Sequence, residues 1–159
     1  MLCGMPDDLR DRVADLERRV AALEAPATPA AAPEGAGHIT YSGRLERPAE
    51  LAWDIALHPA AVLGLDDAPR VEVLAALAHP VRTAIVRELA ENGSRPAADL
   101  QTAAGLGSTG QLYHHLKALT SAGIVEQDGR GSYRLRPVAT VPTLVLLAAA
   151  ADVAGQLRT

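Results

Sequence analysis

Hydrophobic and polar positions along the chain predict a series of helices that ends in a short two-stranded ribbon. The clearest pattern lies at residues 108–121, where Leu112, Leu116 and Leu119 recur at spacings of four and three residues. At about 100° per residue these leucines share one face of a helix. The opposite face is polar and hydrogen-bonding and carries no acidic side chain. A helix of this kind suits a groove lined with acceptors and phosphates.

The segments on either side of this helix complete a compact unit. A short helix is predicted at 96–104, with Leu100 in the core, and a glycine-rich turn leads from it to Ser108, which can cap the next helix. Two short strands are predicted at 124–127 and 132–136, and the turn between them holds Arg130 at its tip. Helix, helix and ribbon with a basic tip is the plan of a winged helix-turn-helix.

Upstream helices are predicted at 68–78 and 80–91. Asp66 or Asp67 can cap the first, and His79-Pro80 separates the two, because proline disfavours a helical residue before it. Ser94 is a candidate cap for the following helix. A last helix is predicted from Thr143 to about Leu157, after a connector bracketed by two prolines. It is apolar almost all round, so we expect it to be buried, most simply in a subunit interface.

The N-terminal residues 7–24 carry apolar side chains with an a/d heptad spacing of 4, 3, 4 and 3. One interpretation is a short self-associating coiled coil, and the other is a helix packed on its own domain. Two and a half heptads are marginal in isolation, so a coiled coil would add to another dimer contact. Residues 25–37 are rich in alanine, proline and glycine, which is typical of a linker.

Residues 38–57 alternate between apolar and polar side chains, which predicts a β-hairpin. Gly43 on its apolar side indicates a bulge or a close backbone approach. A lone hairpin is barely stable in water, so its apolar face must rest on something. That face is either a structural cover over the helices or partner subunit, or one wall of a ligand pocket lined by Tyr41 and Trp53.

Composition narrows the class of protein. The net charge of −4 is unusual for a nucleic-acid binder, but residues 95–136 carry five basic and three acidic side chains. A single cysteine excludes an internal disulfide and any multi-thiolate metal site within one chain, and it fits a reducing compartment. With no signal peptide and no long apolar run, we expect a soluble cytoplasmic protein that does not contact membranes.

Enzymatic chemistry is not expected. The sequence offers no acid–base pair and no constellation that would activate a nucleophile, and residues 105–110 lack the strand and lysine of a nucleotide-binding loop. His114 and His115 point about 100° apart on one helix, so they cannot chelate one ion together. We therefore expect no catalytic residues, no cofactor and no metal site.

The run from Ala76 to Pro137 resembles the ArsR/SmtB family of bacterial winged-helix repressors. The resemblance rests on LAHPVR at the start of a helix, HHLKAL in the predicted recognition helix, the AGIVE strand and a glycine-rich wing. It covers roughly residues 71–155 and implies a homodimer on a palindromic operator, with the first and last helices of the domain in the interface. The family's cysteine-pair and last-helix metal sites have no counterpart here, apart from Asp152 as a lone candidate ligand.

The hypothesis for DNA contact follows from the exposed face of the 108–121 helix. Gln111 can bond adenine and His114 guanine, while Ser108, Thr109 and the free N–H groups of the helix start suit phosphate. Lys117 and Arg95 add charge, Arg130 reaches the minor groove or backbone, and His115 is interpreted as half-buried support. The predicted contact set is Ser108, Thr109, Gln111, Tyr113, His114, Lys117 and Arg130.

The fold predicted is mainly α with small β (α+β), a winged helix-turn-helix preceded by a β-hairpin and an N-terminal coiled-coil helix. The predicted segments are 1–24 coiled coil, 25–37 linker, 38–66 hairpin and connector, and 67–159 DNA-binding and dimerisation domain. We expect a dimeric repressor of double-stranded DNA, with higher assembly through the coiled coil and a small-molecule or protein effector left open. The alternative is a protein-interaction module that uses the coiled coil and hairpin, with the winged helix as scaffold.

Overall fold

The computed structural model describes residues 12, 13, 15, 37–46 and 50–157. Helices dominate, with one two-stranded and one three-stranded antiparallel sheet, which confirms the α+β winged helix-turn-helix fold. The elements in chain order are β1 (Ile39–Leu45), β2 (Leu51–Leu57), α1 (Pro59–Leu63), α2 (Asp67–Leu77), α3 (Pro80–Asn92), β3 (Arg95–Pro96), α4 (Ala97–Ala103), α5 (Thr109–Ser121), β4 (Val125–Gln127), β5 (Ser132–Leu135) and α6 (Pro137–Val153).

The predicted hairpin is confirmed. β1 and β2 pair in an antiparallel register that places Tyr41 opposite Ile55 and Gly43 opposite Trp53. The register is unbroken, so Gly43 marks a close approach and not a bulge. A Cβ atom at Gly43 would lie 2.5 Å from Cζ2 of Trp53. The missing side chain therefore makes room for the indole ring on the apolar face of the hairpin.

Replacing Gly43 with alanine is expected to displace the Trp53 indole and destabilise the hairpin by about 1–3 kcal/mol, as overpacking does in well-packed sites. Trp53 is the sole tryptophan of the chain, so its fluorescence reports on the hairpin alone. We expect a red-shifted emission maximum. Ser42→Ala on the exposed opposite face is the matched control. An emission spectrum that is the same in Gly43→Ala and wild type would contradict the close packing.

Helix signals in the sequence position the core elements. Asp66 accepts from the N–H of Ala68 at 3.1 Å and His79 Nδ1 accepts from that of Val81 at 3.2 Å, so both residues cap helices. Gly93 ends α3 with a φ of 73°, a conformation that favours glycine. The buried residues between α2–α5 and the strands form one apolar cluster. Its members are Ala76, Ile85, Val86, Leu89, Leu100, Leu112, Leu116, Leu119, Ile124, Val125 and Leu135.

The three-stranded sheet has the order β3-β5-β4 and contains a strand that the sequence did not predict. The prediction that Ser94 caps a helix starting at Pro96 is wrong. Pro96 is extended, pairs with Ser132 and directly precedes α4, which has no side-chain cap. The N–H of Ala97 instead donates to the carbonyl of Gly131 at 2.9 Å. The wing therefore supplies a hydrogen-bond acceptor for one of the N–H groups at the helix start that have no partner within the helix.

The last helix begins earlier than predicted. Arg136 is its N-cap and Pro137 is its first residue, a position where proline's fixed φ and missing N–H are favourable. Pro142 lies within the helix and removes one backbone hydrogen bond without ending it. The prolines predicted to bracket a connector therefore belong to α6, which spans Pro137–Val153 and does not start at Thr143.

The expectation that the last helix is buried is not met within one protomer. Only Thr140 and Thr143 are buried on α6, although Leu147 packs against the core. Val138 is 76% exposed and Val153 is 88% exposed. The helix therefore presents an apolar surface that the described part of the chain leaves uncovered.

The predicted coiled coil and linker fall almost entirely outside the described residues. Residues 12, 13 and 15 are helical, and the rest of 1–36 is not described. The coiled coil and the boundaries of the four segments therefore stay predictions. Among the helices that are described, none has the length and apolar character needed to cross a membrane.

Candidate nucleic-acid interface

The helix α5 is set in place by its cap and its leucine row. The hydroxyl of Ser108 accepts from the N–H of Gln111 at 3.3 Å, which confirms Ser108 as the N-cap. Leu112, Leu116 and Leu119 are fully buried on one face. Burial of a leucine row on one side fixes which side chains of the helix face solvent.

The predicted contact residues of α5 lie on its solvent-facing side. Each of them is exposed, as is the wing residue in the same set. The hydroxyl of Thr109 donates to Oε1 of Gln101 at 3.3 Å, so this side chain is held against α4 at the start of the recognition helix. The exposed residues are Ser108, Thr109, Gln111, Tyr113, His114, Lys117 and Arg130.

The wing tip is built from two glycines around Arg130. Gly129 and Gly131 have φ values of 76° and 80°, in the left-handed region that side chains rarely adopt. The N–H of Asp128 donates to the carbonyl of Ser132 at 2.8 Å and closes the turn. This geometry projects the exposed Arg130 from the end of a short ribbon.

The base of the wing lies beside the exposed face of α5. Tyr113 and Lys117 line a cavity of about 260 Å³ together with Gln127 and Tyr133 from the strands. Burial raises the pKa of the Tyr133 hydroxyl, and the nearby Tyr113 adds a smaller effect in the same direction. The fold therefore brings the recognition helix and the wing next to each other. Sequence reasoning missed Tyr133, which shares a strand face with the buried Leu135.

Several cations near this surface are neutralised by acidic side chains. Arg95 was expected to add phosphate-binding charge, but it pairs with Glu88 and Asp99, each at 3.1 Å. Arg134 bonds Oε1 of Glu126 at 2.8 Å, and this hydrogen bond is the main reason why its pKa is raised. Within the described residues, Lys117 and Arg130 make no ion pair. They are the cations of the predicted set that remain free for phosphate.

His115 has the half-buried position that the sequence predicted. Its ring lies 4.6 Å from that of His79, which caps α3, and its Nδ1 is buried without a hydrogen-bond partner. Burial lowers the pKa of His115, and the positive charges of His79, His114 and Arg82 lower it further. The imidazole therefore supports the back of α5 in its neutral form.

Acidification is expected to destabilise the fold through His115. In the unfolded chain His115 takes up a proton near pH 6.5, whereas in the folded chain its lowered pKa delays protonation. The unfolded state then binds more protons, so stability falls as the pH drops below about 6.5. Urea unfolding between pH 7.5 and 5.5 should show a shallower pH dependence in His115→Gln than in wild type. His38→Gln, which leaves the His79–His115 pair intact, is the control, and equal slopes in His115→Gln and wild type would contradict this role.

Tyr41 and Trp53, the residues of the predicted ligand pocket, are both half-buried on the apolar face of the hairpin. Trp53 packs over Gly43, and its indole Nε1 is buried without a partner. Neither residue lines the cavity of about 410 Å³ to which the hairpin contributes Leu51. Among the described residues, no group of three His, Cys, Asp or Glu side chains is placed to hold a metal ion.

Comparisons with known proteins agree with this geometry. Residues 77–128 match the family model described as "Helix-turn-helix domain". These residues contain α3, β3, α4, α5 and β4. No curated protein matches the chain.

The solved structures that are similar to the chain include the following two. One is the homodimeric winged helix-turn-helix DNA-binding domain of a "possible ArsR-family transcriptional regulator" from Mycobacterium bovis. It is 30% identical, with 58% of this chain and 83% of that chain covered and a TM-score of 0.46. The other is the transcriptional repressor BigR from Xylella fastidiosa, which is 28% identical, with 53% of this chain and 88% of that chain covered and a TM-score of 0.42.

The sequence matches and the described elements together identify the family of the chain. The helix-turn-helix match covers the recognition helix, and the 30% identity extends over most of the Mycobacterium bovis domain. In this chain the capped helix with its leucine row precedes the glycine-flanked wing. The chain belongs to the ArsR family of winged helix-turn-helix, DNA-binding transcriptional regulators.

Proposed function

We propose that the chain is a dimeric repressor that reads a palindromic operator through the 108–121 helix and the wing at 128–131. The observation that carries this proposal is the exposed face of α5. It presents hydrogen-bonding side chains and Lys117, it carries no acid, and it lies beside the base of the wing. Because this face carries no negative charge, it does not repel the phosphates of DNA and can approach them closely, although the whole chain has a net charge of −4.

In this proposal the N-terminal part of α5 enters the major groove. Gln111 offers the paired donor and acceptor that adenine requires, and His114 can donate to guanine. Ser108 accepts a hydrogen bond as the cap and keeps its own hydroxyl proton, so this hydroxyl and the free N–H groups of the first turn, including that of Thr109, are the donors left for phosphate. The hydroxyl proton of Thr109 is already donated to Gln101. Arg130 extends from the wing to the adjacent minor groove or backbone.

Dimerisation is supported by the uncovered apolar surface. Val138 and Val153 on α6 are mostly exposed, and α2 adds Val71 at 58% and Leu74 at 53% exposure. A surface with this many exposed apolar side chains is unfavourable in water unless a second surface covers it. The Mycobacterium bovis domain is a homodimer, and this supports a second copy of this chain as the partner that covers the surface. Two recognition helices would then read half-sites about one helical turn apart.

The wing contact is tested by Arg130→Ala. Loss of one phosphate or minor-groove contact per subunit should weaken operator binding about three- to tenfold and should reduce the slope of log affinity against log salt by about one per cation lost. Arg44→Ala, which removes a charge from the exposed face of the hairpin, is the control. Binding isotherms across a range of salt concentrations measure both effects. A salt slope unchanged by Arg130→Ala would exclude the wing from the interface.

A further inference from the structure

A cavity of about 410 Å³ to which no role has been assigned lies near the DNA-reading elements. Small-molecule sites in proteins span about 300–1,000 Å³, so its size is appropriate for a ligand. Its walls come from four parts of the fold: the hairpin strand β2, the end of α3, the base of the wing and the start of α6. A ligand here would touch the wing and the start of the proposed dimer helix at once.

Part of the cavity wall is apolar. It is lined by Leu51 from the hairpin and by Leu89, Leu135 and Pro137. Leu89 and Leu135 belong to the buried core, so this wall is rigid. Leu51 lies outside residues 77–128, the part that matches the helix-turn-helix family, so the added hairpin helps to form the cavity.

The cavity wall also has a polar part that carries both signs of charge. Asp128 and Arg134 face it, and Oδ1 of Asp128 lies 3.5 Å from a terminal nitrogen of Arg134. An exposed ion pair of this length contributes little, so both groups can turn to a ligand. The Nε of Arg134 remains bound to Glu126 at 2.8 Å, which holds the guanidinium in place and leaves its terminal N–H groups as donors.

This pairing selects the charge of the ligand. A ligand carboxylate would contact Arg134 but would also face the carboxylate of Asp128, and a ligand ammonium group would contact Asp128 but would also face the guanidinium. A neutral head that both accepts and donates satisfies Arg134 and Asp128 together. A primary amide does so, with its carbonyl toward Arg134 and its N–H toward Asp128.

We propose that this cavity binds an uncharged amphipathic small molecule with an amide-like head, and that its binding weakens operator affinity by moving the wing relative to α6. The second half of the proposal rests on the proposed function, whereas the binding itself does not. The apolar body lies on the Leu51 side and the head lies between Asp128 and Arg134.

Three probes with one carbon skeleton test the ligand class: phenylbutyramide, phenylbutyrate and phenylbutylamine. Titration of the full chain, followed by backbone amide NMR shifts, should move the signals of Gly93 and Asp128, while Gly105 stays fixed. The neutral amide should bind about tenfold or more tightly than either charged probe. The absence of shifts at Gly93 and Asp128 with all three probes, or equal affinities for them, would overturn the site.

Variants separate the cavity from the rest of the surface. Ser94→Trp places a large side chain in the cavity and should abolish amide binding, whereas Glu91→Trp, on the exposed side of the same helix end, should keep it. Arg134→Ala removes the cation beside Asp128, so the carboxylate should favour a cationic head group. Of the three probes, phenylbutylamine should then bind most tightly. Amide binding to Ser94→Trp equal to that of wild type, or an unchanged preference in Arg134→Ala, would contradict the proposed head-group contacts.

The regulatory half is measured on operator DNA. Saturating phenylbutyramide should lower the operator affinity of wild type by about fivefold or more, and that of Ser94→Trp not at all. If the amide binds and operator affinity is unchanged, the coupling to the wing is wrong and the site stands. If the chain binds no specific DNA at all, the proposed function fails and the NMR titration still decides the site.

Discussion

Replacing Gln111 and His114 together with alanine is expected to abolish specific operator binding while leaving the fold and the oligomeric state unchanged. Both side chains are exposed on α5 and neither belongs to the core, so their truncation creates no cavity. Each base contact discriminates by about 1–3 kcal/mol, and a dimer makes each contact twice. The ratio of specific to non-specific affinity should therefore fall roughly 100-fold or more. Binding curves on operator and on scrambled DNA measure this ratio.

A matched control lies on the same helix. Thr120 and Ser121 are exposed in the last turn of α5, outside the predicted contact set. The double replacement Thr120→Ala and Ser121→Ala should keep the specificity of the wild type. Loss of specificity in this control, or its retention when Gln111 and His114 are replaced, would assign base readout to another surface.

Placing aspartate at Leu74 and Val153 is expected to convert the proposed dimer into monomers. Both side chains are more than half exposed in the protomer, so the charges cost little within one subunit. In a dimer they would be desolvated in an apolar interface, which is strongly unfavourable. Because a monomer can contact only one half-site, the contribution of the second, linked contact would be lost, and operator affinity should fall by about 10²–10⁴-fold.

Sedimentation measures the assembly, and circular dichroism checks that the helices remain. Ala98→Asp introduces a charge on the exposed face of α4 and is the control that should stay dimeric. A Leu74→Asp and Val153→Asp protein that sediments like the wild type would exclude α2 and α6 from the interface. Monomers that still bind the operator with wild-type affinity would contradict recognition by two subunits.

Local signals predicted the parts of the fold that depend on local chemistry. The leucine row of α5, its Ser108 cap and the break at His79-Pro80 follow from side chains within a few residues of one another, and all three are present. The alternation in the hairpin likewise predicted its strands. These features can be predicted without knowing which distant segments of the chain contact each other.

The features that were missed depend on contacts between distant segments. Arg95–Pro96 becomes a strand only because Ser132 and Tyr133 lie alongside, 36 or more residues further along the chain. Arg95 was assigned to DNA because its partner Glu88 comes from another helix, although Asp99 at i+4 was a local signal that could have indicated pairing. The start of α6 at Pro137 was missed because the two prolines were interpreted as breakers.

For the candidate interface, the sequence predicted which side chains are exposed but not how the wing is placed. The predicted contact residues of α5 face solvent because the leucines opposite them are buried. The neighbourhood of Tyr113 and Tyr133 depends on how β5 lies against α5, which no local pattern encodes. The contact set itself stays a prediction until DNA binding is measured.

Selection of bound DNA from a random-sequence pool with the full chain tests the central claim most directly. The proposed function predicts enrichment of an inverted repeat whose half-sites lie about one helical turn apart, with A or G at the positions that Gln111 and His114 read. The same selection with Gln111 and His114 replaced by alanine should lose these bases. A pool that shows no enriched sequence, or one without two-fold symmetry, would contradict a dimeric reader of a palindromic operator.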